Sequence, residues 1–140
     1  PYFAEIDLRL TGGEFTVAAA LVKEVDHTYL RRWDYRSLVL RYRERLVGRL
    51  ADDDFADFEN RYDLAAIHLE ISQPEQAEAV LLQAIDLARL KRSGDDSVLR
   101  EPLAKAYWSA GRLRAAVAEY EAVRDYLLAK AAGKATAGCS

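Results

Sequence analysis

The chain matches itself at an offset of 39 residues, and this restricts its fold more than any other feature. Leu64-Ala65 pairs with Leu103-Ala104, His68 with Tyr107, Ser72 with Gly111, Ala77 with Ala116, Leu81 with Tyr120, and Ala84 with Val123. Each position has a task in a helix hairpin. Small residues at Ala77 and Ala116 let the second helix approach the first, Leu81 and Tyr120 fill the next layer, and Ser72 and Gly111 separate the helices. A unit of two helices cannot bury its apolar face alone, so such units stack on neighbours.

The rest of the chain reads as helix too. The 3 prolines and 7 glycines fall almost entirely at candidate breaks, and the stretches between them are rich in Ala, Leu, Glu and Arg, all strong helix formers. The spacing predicts helices over 2–10, 14–30, 35–50, from Asp52–Asp54 to about Ile71, 74–91, from Leu99 or Arg100 to Gly111, and 113–130. Phe15, Ala18, Ala19, Val22, Val25 and Tyr29 recur every three or four residues, and so do Tyr35, Val39, Tyr42, Leu46 and Leu50, as a buried helical stripe requires. Asp34 is a candidate cap for the third helix. Pro102 argues against starting the sixth helix at Ser97, because a proline past the first turn leaves a carbonyl unpaired. No segment alternates with the period of a strand. The expected class is all-α, with about seven helices.

The pattern Leu103-Ala104-x-x-Tyr107-x-x-x-Gly111-x-x-x-x-Ala116-x-x-x-Tyr120-x-x-Val123 resembles the tetratricopeptide repeat. The copy at Leu64–Ala84 is weaker, with His68 and Ser72 at the tyrosine and glycine positions. A repeat of this family usually has 34 residues; the longer offset implies about one extra helical turn and a longer loop, spent in Leu90–Asp96. Gly13, Ala18, Val22 and Val25 follow the spacing of Gly111, Ala116, Tyr120 and Val123, which marks a degenerate third copy. The resemblance implies antiparallel hairpins stacked as a short α-solenoid. Residues 1–34 would form a degenerate hairpin, 35–53 an inserted helix, and 54–131 two repeats (about 54–92 and 97–131). Residues 132–140 would be an irregular tail or cloning remnant. The run Val25–Arg36, followed by Arg43-Glu44-Arg45-Leu46 and then repeats, is similar to the repeat-bearing regions of bacterial signal-transduction ATPases of the STAND class. Those regions act as sensors beside a nucleotide switch. This chain has no Gly-x-x-x-x-Gly-Lys-Ser/Thr loop and so no nucleotide site of that kind.

Little in the sequence points to catalysis. His68 sits at a packed aromatic position and reads as a core histidine with a satisfied hydrogen bond. His27 has no metal-ligand partner at i+3 or i+4. Asp52-Asp53-Asp54-Phe55-Ala56-Asp57 lacks the glycine and the twelfth-position glutamate of a calcium loop. Gly-x-Ser-x-Gly is absent, and one cysteine, Cys139, can form neither an internal disulfide nor a four-thiolate zinc site. The expectation is a protein that is not an enzyme and takes no metal or cofactor. The apolar pattern begins at once after Pro1, with no charged-then-apolar leader, so we expect a piece of a longer cytoplasmic protein. No apolar run approaches the roughly 20 residues of a membrane span.

Three functions remain. A polypeptide would lie against the first helices of the repeats. By register the groove positions are Tyr62, Ala66, Leu69 and Glu70, then Glu101, Lys105, Trp108 and Ser109. Trp108 and Tyr62 are the candidate anchors, with packing between repeats as the alternative role for Trp108. Relatives that clamp chaperone tails carry Lys and Asn at such positions, where this chain has Tyr62, Ala66, Glu101 and Lys105, so no chaperone tail is expected. Alternatively Arg41, Arg45 and Arg49, spaced as one helical stripe, would bind an anion or nucleic acid. The net charge of -3 argues instead for a solvated face paired with acids. Last, the repeats would serve as a spacer or self-association surface.

Overall fold

The computed structural model describes residues 2–33, 35–50, 54–91 and 96–137, with side chains for all of these except 27–33 and 135–137. Among them are seven helices and no strand: α1 (Tyr2–Thr11), α2 (Phe15–Trp33), α3 (Arg36–Leu46), α4 (Asp54–Glu70), α5 (Pro74–Leu90), α6 (Ser97–Ser109) and α7 (Leu113–Ala137). The chain is all-α. His27, the proposed cap Asp34, Asp52-Asp53, residues 92–95 of the Leu90–Asp96 loop and Cys139 carry expectations that lie outside the described residues or side chains.

The chain divides into two compact units, Pro1–Ile67 and His68–Ser140, with the division inside α4. In the first, α1 packs on α2 and α2 on α3. Ile6, Leu10, Ala18, Val22, Val25, Val39, Tyr42, Leu46, Leu50 and Ile67 form one buried cluster, so the predicted stripes face inward except at Tyr35, which is 39% exposed; the Tyr29 side chain lies outside the described ones. In the second, α5 packs on α6 and α6 on α7, around Ala77, Leu81, Ala84, Ile85, Leu99, Leu103, Ala104, Ala106 and Ala116. Within each unit these helices thus rest on neighbours in sequence, as in a helical repeat stack.

The hairpin turns repeat in atomic detail. Gly13, Ser72 and Gly111 have φ of 77°, 61° and 76°. After each, an N–H donates to the carbonyl five residues back: Glu14 to Arg9 (2.9 Å), Gln73 to His68 (2.8 Å) and Arg112 to Tyr107 (2.8 Å). This is the Schellman closure of a helix, which needs one residue in the left-handed region. The next helix then opens in the same way, with Ala18, Ala77 and Ala116 donating to the carbonyls of Glu14, Gln73 and Arg112 at 3.0–3.2 Å. The two side chains that flank each turn also meet. Arg9 pairs with Glu14, His68 Nδ1 lies 3.0 Å from Gln73 Oε1, and the Arg112 guanidinium stands 4.9 Å from the Tyr107 ring centroid. The third copy proposed from Gly13 and Ala18 therefore shares the local geometry of the other two.

Several boundaries differ from expectation. α3 stops at Leu46, four residues early, because Gly48 turns left-handed (φ 74°); Leu50 is still buried beyond the turn. α6 starts at Ser97 despite Pro102. The proline removes one backbone bond but is itself buried. Arg100 secures that first turn by donating to both Asp96 carboxylate oxygens at 3.1 Å. α7 continues to Ala137, into the stretch expected to be irregular, since its alanines and lysines favour helix and Gly133 costs only about 1 kcal/mol. Finally, Tyr120 does not fill a packed layer as Leu81 does but is an exposed residue.

Candidate functional site

On α6 the apolar positions Leu99, Leu103 and Ala106 turn inward, which by helical period leaves Glu101, Lys105, Trp108 and Ser109 on one outward face. All four are exposed. Trp108 is 60% exposed, so among the described residues it is not packed between helices. Lys105 and Glu101 pair at 3.1 Å one turn apart on this face, a surface ion pair worth little to stability. Of the other groove residues, Leu69 is half-buried and Glu70 exposed, while Tyr62 and Ala66, in the first unit, are each half-buried. Tyr107, next to Trp108, is half-buried. Its phenol is pushed above its ordinary pKa by burial and by the nearby carboxylates of Glu78 and Glu119.

The arginine stripe is broken. Arg41 and Arg45 lie on α3, but Arg49 follows the Gly48 turn and leaves the helical register. Arg45 Nη1 sits 3.3 Å from Asp7 Oδ1, and the Arg49 guanidinium stands 5.6 Å from the Phe15 ring centroid. Arg45 and Arg49 meet at an open cleft of about 430 Å³ with Glu44, Leu10, Phe15 and Val47. A carboxylate therefore enters what sequence spacing describes as a purely basic track.

The most unusual polar group is Arg43, which is 4% exposed. It pairs with Asp26 from α2 and with Asp63 Oδ2 from α4 at 3.3 Å. Asn60 Nδ2 donates to the Arg43 carbonyl at 3.0 Å, and Asn60 Oδ1 accepts from Nη1 at 3.4 Å. Among the described residues Arg43 Nε has no acceptor. Burial lifts the Asp63 carboxyl above its ordinary range; Arg43 opposes this, while Asp26 and Glu59 reinforce it. Arg43, Asn60 and Asp63, with Lys23, Glu59, Thr16, Ala19, Ala20 and Ala56, line a cleft of about 220 Å³. The sequence holds a signal for this cluster: Arg43 falls between Val39, Tyr42 and Leu46, on the face that the apolar stripe buries.

None of these groups forms a nucleophile-and-base pair. His68 is buried against Gln73, and among the described residues no three His, Cys, Asp or Glu side chains converge as metal ligands. No described helix is long and apolar enough to cross a membrane. Compared with known proteins, the chain matches no family model, no curated protein and no solved structure.

Proposed function

We propose that this chain is a non-enzymatic helical-repeat module that binds a polypeptide along the outward face of α6. In this reading it is tetratricopeptide-like, and it serves as a cytoplasmic sensor or regulatory region of a larger bacterial signalling protein. The observation that carries the reading is Trp108. An indole held on a rigid helix at 60% exposure offers large contact area at low entropic cost. Lys105 and Glu101, one and two turns away on the same face, add a switchable pair of opposite charges. An anion-binding role finds less support, because Asp7 engages Arg45 and Arg49 leaves the stripe.

The test uses a displayed library of random twelve-residue peptides, selected against the whole chain. Selected peptides should shift Trp108 emission, and Trp108→Ala should weaken them roughly tenfold or more with helix content unchanged. Adding Tyr62→Ala asks whether the first unit shares the contact. Peptides that bind Trp108→Ala as tightly as the parent chain would reject this assignment.

A further inference from the structure

We propose that the outer face of α7 is a homodimer interface, on which a second copy of this chain lays its own α7 antiparallel to the first. The argument begins with the internal repeat. On α5, Pro74, Glu78, Leu81 and Ile85 share one face, and all four are buried or half-buried because α6 packs on α5. Their counterparts 39 residues later are Leu113, Val117, Tyr120 and Arg124. On α7 no described helix covers that face. Leu113, Val117, Tyr120 and Leu127 are 40–56% exposed, although α7 buries Ala116 on the side turned to α6. A helix that is apolar on two sides and packed on one has an unpaired surface. α7 also runs 25 residues against 13 for α6, so it has length to spare for a second partner.

The order of residues along this face identifies the occupant. Leu113, Val117, Tyr120, Arg124, Leu127 and Ala131 are arranged almost symmetrically about residue 122. Turned over against itself, the stripe sets Leu113 opposite Ala131, Val117 opposite Leu127, and Tyr120 opposite Arg124. The last pair places a guanidinium at an aromatic face, an attractive contact that the symmetry makes twice. Asp125 holds that guanidinium through Nε and Nη2 at 3.0–3.1 Å, so its charge is compensated before docking. A face that complements itself on inversion closes as a two-fold pair and does not propagate. The stripe is about 27 Å long and one helix wide. Such an area falls short of a standard interface, so the pair should be a weak one that dissociates on dilution.

The register makes a specific test possible. Sedimentation of the whole chain, under reducing conditions so that Cys139 cannot link copies, should show a dimer that dissociates on dilution. Val117→Lys alone and Leu127→Glu alone should each weaken it at least roughly thirtyfold. Both positions are exposed in the single chain, and equal circular dichroism checks that the fold is kept. The double variant Val117→Lys/Leu127→Glu places each lysine against a glutamate of the other copy and should return the dissociation constant to within about fivefold of the parent. Three results would overturn the proposal: a monomer up to millimolar concentration, as expected if this face instead receives a helix of another protein; a dimer indifferent to the single changes; or a double variant no better than the singles.

Discussion

In Pro1–Ile67 a guanidinium lies inside the helix packing, whereas in His68–Ser140 the charges stay at the rim. Arg43 is buried with Asp26, Asn60 and Asp63 around it. Arg100, which ties α6 to Glu119 of α7 at 2.9 Å, and Arg112, which reaches Glu78 of α5, both keep contact with solvent. The second unit follows the repeat, in which alanines and leucines recur at fixed intervals and need only neighbours of the same kind. The first contains α3, outside the repeat, and joins it to α2 and α4 with directional polar bonds. The difference teaches that a repeat can accept a non-repeating helix when a specific network fixes its position. The unit that holds it then depends on single residues.

The largest effect should come from that network. Arg43→Ala leaves the partly buried Asp26 and Asp63 without their counter-charge, and breaking a buried pair in this way costs about 3–5 kcal/mol. Arg100→Ala, at a partly solvated site, should cost about 1 kcal/mol. Urea unfolding measures both, and hydrogen exchange should locate the Arg43 loss in residues 2–67. Equal losses for the two variants would erase the contrast between the units.

The two units also differed in how much could be read in advance. The turns before α5 and α7 follow from period and turn chemistry, since Ser72 and Gly111 stand where the left-handed residue is needed, and the small residues Ala77 and Ala116 beyond them are buried as the repeat predicts. Trp108 could be placed on a face by register, but its exposure depends on what lies beyond α6, which no local pattern encodes. Arg43 was hidden for the opposite reason. Charge is read as surface, and only its position among Val39, Tyr42 and Leu46 betrays it. The early end of α3 at Gly48 and the start of α6 ahead of Pro102 depart from the local pattern, because a left-handed glycine ends one helix and a proline leaves the other intact. Packing settled both, through buried Leu50 and buried Pro102.

Within the repeat the sharpest contrast is between positions related by 39 residues whose surroundings differ. Leu81 is wholly buried between α5 and its neighbours, and Tyr120 is exposed. At a concentration where sedimentation shows a single copy, Leu81→Ala should cost about 2–5 kcal/mol and Tyr120→Ala less than about 1 kcal/mol. Thermal unfolding monitored by circular dichroism reads both. A Tyr120→Ala loss as large as that of Leu81→Ala would mean that α7 is covered even in the monomer.

The smallest contrast lies in the turns, where geometry matches and residue type does not. Ser72 and Gly111 hold nearly the same backbone conformation, with φ of 61° and 76°, but only glycine does so without a side-chain clash. A Cβ added at Gly111 meets no atom within 4 Å, so Gly111→Ala tests the backbone term alone and should cost about 1 kcal/mol. Ser72→Gly should run the other way. It removes the same strain, and because glycine frees the unfolded chain the gain is limited to about 0.5 kcal/mol. The serine hydroxyl is solvent-exposed, so no buried bond is lost with it. Opposite signs in paired urea titrations would identify the weaker copy of the repeat as one that carries its turn under strain. Two changes of the same sign would show that Ser72 contributes something beyond its backbone conformation.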